Sequence, residues 1–171
     1  MKKIFSTLIV FGIFCGFAFS QTAPKYILTK DGVKPVVLSF DASVTTNQIY
    51  TKAKSWNASM AKYPNSVVRI DKENVQVKHG GYIEKAWRIK DNNFDHWYNM
   101  EYTLNVEIKD GRCRVTFNSQ ETAYKVWFNA NGTIMPKFKD AKATFETTIN
   151  TLLTSLYTQI KSTPRKTEDN W

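Results

Sequence analysis

The sequence predicts an α+β fold in which a mostly antiparallel sheet carries two helices packed on one face. Three observations predict it. "EYTLNVEIKDGRCRVTF", Glu101 to Phe117, alternates apolar and polar residues on both sides of Asp110-Gly111, the pattern of a hairpin with a two-residue turn. Ile49, Ala53, Trp56 and Met60 recur at intervals of four, three and four and therefore share one helical face. Phe145, Ile149, Leu152, Leu153, Leu156 and Ile160 form a second, wider stripe of the same period.

The elements follow in chain order. Residues 1–20, "MKKIFSTLIVFGIFCGFAFS", read as a signal peptide cleaved before Gln21. Lys2 and Lys3 precede the apolar run Ile4 to Phe17, and Ala18-Phe19-Ser20 sets small residues at the cut. That run is shorter than the ~20 residues of a spanning helix, so no membrane span is expected. Cys15 follows Phe14 rather than a small residue, which argues against lipid attachment. The expected location is periplasmic or secreted. Residues 21–35 form a lead segment with a mobile start and a Lys-Asp-Gly turn, residues 36–160 the domain, and residues 161–171 a polar, disordered tail ending in Trp171.

Within the domain, "VVLSF" (Val36 to Phe40) reads as a strand. Thr45 or Thr46 caps a helix over residues 46–61 that stops by Pro64. "SVVRI" and "VQV" flank a turn at Asp71–Asn74, and Gly80-Gly81 marks a bulge or bend before "YIEKAWRI". "KDNNFDHWYN" (Lys90 to Asn99) reads as a polar loop studded with aromatics, "AYKVWF" (Ala123 to Phe128) as a strand, and Asp140 as the cap of a helix over residues 140–160. Counting outward from Asp110-Gly111 pairs Ile108 with Cys113, Val106 with Val115 and Leu104 with Phe117 on an apolar face shared with Met100 and Tyr102. The other face pairs Glu107 with Arg114 and Asn105 with Thr116. Cys113 therefore stands among core residues as an inert thiol.

The chain's formal charge of +9 loses two units with Lys2 and Lys3, and its lysines are scattered singly among acids. This is a solvated surface rather than a nucleic-acid footprint. After processing only Cys113 remains, so no intramolecular disulfide forms. His79 and His96 are the only histidines, too few for a His/Cys metal cluster, and no cofactor motif is present.

The ordered set "TTNQIYTKAKSW" (Thr45 to Trp56), "VRIDKEN" (Val68 to Asn74) and "YTLNVEIKDGRCRVTF" (Tyr102 to Phe117) resembles a family of exported proteins of Gram-negative bacteria known as a domain of unknown function with a TBP-like fold. With its flanks the resemblance spans roughly residues 36–160 and departs from the family in the stretch 75–90, which is less glycine-rich than the family pattern. It implies a TBP-like fold and brings no catalytic residues. TBP-like sheets that bind DNA use apolar wedges on the open face. Here that face carries Glu101 and Glu107 with no interleaved aromatics, so no nucleic acid is expected there.

Two function classes remain. The favoured one is a monomeric, non-enzymatic binding module for an envelope protein, peptide or glycan. It would use the open face (Asn105, Arg112, Arg114) or the His96-Trp97-Tyr98 segment, and Trp87, Trp97 and Trp127 form an aromatic platform if exposed. The alternative is an exported hydrolase-like enzyme using Asp95 and His96, which needs a concave pocket where His96 meets a second polar group. His79, beside Gly80, reads as a turn residue.

Overall fold

In a computed structural model of the protein, residues 24–60, 67–91, 94–119 and 123–162 are described, with the backbone alone for 67–72. The leader, the tail with Trp171 and the predicted stop at Pro64 lie outside them. A small hairpin, β1 (Leu28–Thr29) and β2 (Gly32–Val33), turns at Lys30-Asp31 and leads into β3 (Val36–Ser39). Helix α1 (Thr46–Met60) follows, then β4 (Val67–Lys72), β5 (Gln76–Asp91), β6 (Phe94–Lys109), β7 (Arg112–Ser119) and α2 (Lys139–Lys161). The main sheet is antiparallel in the order β3-β7-β6-β5-β4.

The β6–β7 register matches the counted one, with Ile108 opposite Cys113, Val106 opposite Val115 and Glu107 opposite Arg114. Asp110 (φ 48°) and Gly111 (φ 71°) both take the left-handed conformation that a type I′ turn demands. Alternation then sends Met100, Tyr102, Leu104, Val106, Ile108, Cys113, Val115 and Phe117 into the core. There they meet Ile49, Ala53 and Trp56 of α1 and Phe145, Ile149, Leu153 and Leu156 of α2. Each fully buried aliphatic side chain contributes on the order of 2 kcal/mol. Trp56 Nε1 donates to Ser155 Oγ (3.0 Å), tying the helices to each other on the one face they share.

Local signals fix the helix starts. Thr45 Oγ1 accepts from the Gln48 amide (3.2 Å) while Gln48 Oε1 accepts from the Thr45 amide (2.8 Å), a reciprocal capping box that decides for Thr45 over Thr46. Asp140 does not cap α2. Phe138 holds the cap position without a side-chain bond, and a short 3-10 turn, Pro136–Phe138, feeds the helix. Asp140 instead sits in the first turn, where a carboxylate suits the helix dipole, and accepts from Arg88 Nε (2.8 Å).

The lead segment is part of the fold. Tyr26 and Leu28 are each 1% exposed. Asn150 accepts from the Tyr26 amide (2.7 Å) and donates to its carbonyl (3.0 Å), and Glu146 accepts from the Leu28 amide (2.8 Å). Side chains of α2 thus replace the ladder a neighbouring strand would supply.

Three expectations are corrected. Ala123–Trp127 is a 3-10 helix rather than a strand, because Trp127 turns inward to pack on Trp87 and Phe145. Lys90–Asn99 is not a loop: β5 runs to Asp91 and β6 starts at Phe94. Gly80-Gly81 makes no bulge, and the register shifts further on, between Ile83 and Trp87, where Lys85 has φ 52°. Gly81 serves close approach instead, since a Cβ there would lie 2.6 Å from Tyr102 Oη.

Two outcomes follow. The Tyr102 ring is held by Phe117 stacked on it (5.7 Å) and by His79, so it cannot swing away. Gly81→Ala therefore lowers stability by about 1–3 kcal/mol in denaturant unfolding. Cys113 is 1% exposed and burial pushes its thiol up to about 12. It reacts slowly with a thiol reagent in the native protein and rapidly in denaturant.

Candidate functional site

The pairing of β5 with β6 outruns the sheet. β4 ends opposite Gly80 and β7 ends opposite Tyr102, while β5 and β6 stay paired to Asp91 and Phe94. Past Ile83 and Met100 they form a two-stranded arm. Its base is kinked where residues 84–86 face Asn99 alone, and side chains take up the freed backbone groups. Asn99 Oδ1 accepts from the Lys85 amide (2.9 Å), Thr148 Oγ1 donates to the Ala86 carbonyl (2.6 Å), and Thr144 Oγ1 accepts from the Arg88 amide (3.2 Å).

Aromatic rings cover both faces of the arm. Trp87 stacks flat on Tyr98 (4.1 Å, 7°) and meets Trp127 edge-on (4.8 Å). Trp87 and Trp127 are buried, so the condition for a three-tryptophan platform is not met and Trp97 alone of the three is exposed. Tyr98 covers Trp87 and remains 40% exposed. On the other face Arg88 lies 5.5 Å over Trp97 and binds both Asp95 and Asp140 at 2.8 Å. Trp97 is 43% exposed and Phe94, near the tip, 73%. Phe94 was not singled out from the sequence; its signal was the two-residue spacing of Asn92-Asn93 between runs that pair.

The structure divides the predicted residues. His96, Trp97 and Tyr98 come together on the arm. Asn105, Arg112 and Arg114 lie on the open sheet face, Asn105 about 25 Å from Trp97 at strand rise. Asn105 accepts from Gln76 Nε2 (2.7 Å) and Arg114 is clamped on Glu107, so both are engaged within the sheet. Arg112 is exposed. The His96 ring is exposed and has no hydrogen-bond partner among the described residues, and the Asp95 carboxylate beside it is held by Arg88. Two concavities in the described part lie elsewhere: an open groove of about 590 Å³ along α2, and a cavity of about 120 Å³ between Asp31–Val33 and Tyr124. Neither is lined by His96.

His79 is not a turn residue. It is 1% exposed within β5, in a chain of polar groups under α1. Asn57 Nδ2 donates to the Lys78 carbonyl (3.1 Å), so the Asn57 oxygen faces His79. An amide oxygen only accepts, hence His79 Nδ1 carries the proton (2.5 Å) and Nε2 accepts from the Tyr102 hydroxyl (2.9 Å). Trp56 closes the site edge-on at 5.3 Å. Asn57 had no signal in the apolar periodicity, because its burial is bought by these bonds.

Burial lowers the His79 pKa from 6.5 to about 4. The unfolded chain therefore binds the proton more readily between these values. Stability is complete above pH 6.5 and is lost as pH falls toward 4, by on the order of 2–3 kcal/mol. His79→Gln has a smaller slope of stability against pH across that window, and equal slopes in urea titrations would refute the assignment.

The comparisons with known proteins agree with this architecture. Residues 40–122 match the model of a domain of unknown function (DUF4468) with TBP-like fold. A DUF4468 family protein from Bacteroides ovatus ATCC 8483 superposes with a TM-score of 0.53 at 16% identity, covering 78% of this chain and 89% of that one. A TBP-like protein from Parabacteroides distasonis ATCC 8503 gives 0.51 at 11% identity, covering 75% and 92%. No curated protein matches. At such identities the two structures speak for the fold alone. By the match over residues 40–122 and by its architecture, the chain is similar to the DUF4468 family and shares its TBP-like fold.

Proposed function

We propose that the protein is an exported, non-enzymatic binding module of the cell envelope or secreted fraction, and that it contacts its partner through the β5–β6 arm. The observation that carries this reading is the exposure of Phe94, Trp97 and Tyr98 together on a ribbon that projects past the rest of the sheet. Large aromatics lose little side-chain entropy when they dock and dominate contact energies. Exposed on a rigid element they are suited to an interface. Rigidity comes from Arg88, which joins the arm to α2 through Asp140, and from the Trp87–Trp127 contact at its base. Asp95 is committed to the same ion pair, which leaves His96 without an acid-base partner.

The leader supports export. Lys2, Lys3 and the apolar run to Phe17 precede the first buried residue of the domain, Tyr26, by several residues, which leaves room for cleavage before Gln21.

A photo-crosslinking residue placed at 94 or 97 in the native host tests the reading. The expected result is a discrete crosslinked product whose protein component begins at Gln21, with none from the same residue at Lys109 on the main sheet. Equal products from all three positions, or recovery of the uncleaved chain in the cytoplasm, would overturn it.

A further inference from the structure

The arm has one covered edge and one open edge, and the difference lies in the backbone. Along a strand, successive residues aim their N–H and C=O groups at opposite neighbours. The Ile108 amide donates to the Val75 carbonyl (2.8 Å), so the even-numbered residues of β6 serve β5. Its odd-numbered residues face β7, and Ser119 Oγ donates to the Glu101 carbonyl (3.3 Å) on that side. β7 stops opposite Tyr102. Asp95, Trp97 and Asn99 therefore direct their amides and carbonyls into a lane that nothing fills among the described residues.

The outer edge of β5 shows what a covered edge looks like here. Its even-numbered residues face away from β6, and α2 meets them there: Thr148 takes the Ala86 carbonyl and Thr144 the Arg88 amide. Among the described residues no comparable side chain reaches the lane beside Asp95, Trp97 and Asn99. Unpaired edges are ordinarily blunted because they recruit other strands.

We propose that this edge of β6 receives an extended peptide segment of a partner protein as an added β-strand, collinear with β7. The proposal rests on the arm being the contact surface and names what the arm takes. The lane continues the existing β6–β7 ladder, so an incoming strand inherits its register and spacing. The unsatisfied groups are amides and carbonyls at strand repeat, a pattern matched by another extended backbone and by neither a sugar nor a phosphate. Alternate side chains of the guest would lie over Phe94 and Tyr98 on one face and over Trp97 and Asn99 on the other. The guest is thus a short segment, about five to seven residues, apolar at alternate positions.

A displayed library of random peptides about nine residues long, panned on the mature protein, provides the probe. Selected peptides are then measured against Trp97→Ala, Trp97→Pro and Phe94→Ser. Proline at 97 removes the lane-facing N–H while leaving the β5 ladder intact, because the Trp97 amide does not face β5. Peptides with apolar residues at alternate positions are expected, bound about tenfold more weakly by Trp97→Pro than by Trp97→Ala. Amide exchange at Asp95 and Asn99 in the unsubstituted protein slows on binding; should the proline variant fail to fold, this measurement decides. Equal affinity for the two Trp97 variants, or unchanged exchange at Asp95 and Asn99, overturns strand addition. If Phe94→Ser still loses binding in that case, the arm remains the contact surface. Failure to enrich any peptide overturns the proposal, as does a concentration-dependent dimer abolished by Trp97→Pro, which would place a second copy in the lane.

Discussion

The contact of Tyr102 with Gly81 and His79 holds the sheet and its helical layer in a single relative position. The Tyr102 ring crosses β5 where glycine leaves room for it, and its hydroxyl reaches His79. From His79 the polar chain passes to Asn57 on α1 and back to the backbone of β5 at Lys78. A slip of one residue between β5 and β6 would put a Cβ under the ring and turn the apolar row of β6 to solvent. The hydrophobic core makes burial favourable, while this chain of hydrogen bonds in low dielectric selects one register for it. α1 is thereby fixed over the sheet, and its Trp56 in turn anchors α2 through Ser155.

A second constraint governs the other end of the sheet. The extra residues of β5 opposite Asn99 kink the ribbon, and the Lys85 amide, the Ala86 carbonyl and the Arg88 amide there each find a side chain. Thr144 and Thr148, one helical turn apart, read the β5 edge in step with it. Arg88 completes the attachment through Asp140 and Asp95. These ion pairs are partly exposed and add little stability individually. Their effect is orientation: Arg88 lies over Trp97 and keeps that ring in place. The same device closes the β5 edge, whereas the β6 edge has no partner among the described residues, so the two edges of the arm differ.

The net positive charge has no single home in this arrangement. Arg114 pairs with Glu107, Lys142 with Glu146 and Arg88 with two aspartates. Among the described residues no helix is long and apolar enough to cross a membrane. The open face of the sheet is polar and linked within itself, as the Gln76–Asn105 bond shows, whereas exposed aromatics are concentrated on the arm.

Wherever a physical rule acts between near neighbours in sequence, the elements were legible. Two-residue alternation and the φ demands of Asp110-Gly111 set the β6–β7 hairpin, the buried thiol and the polar face. The 3.6-residue stripes set both helices, and the threonine pair Thr45-Thr46 marked where α1 begins. Only the tertiary structure decided what those rules leave free. Trp127 sits in a segment with strand-like composition, yet burial against Trp87 and Phe145 curls it into a 3-10 turn. Asp140 has the chemistry of a cap but spends it on Arg88, 52 residues away. His79 looks like a turn residue beside two glycines, until Tyr102 and Asn57 arrive from distant elements to satisfy its nitrogens. Lys90 to Asn99 has the polarity of a loop because this end of the arm lies beyond the core and its described residues are exposed. Its strands exist through pairing with each other, a property of register and not of composition.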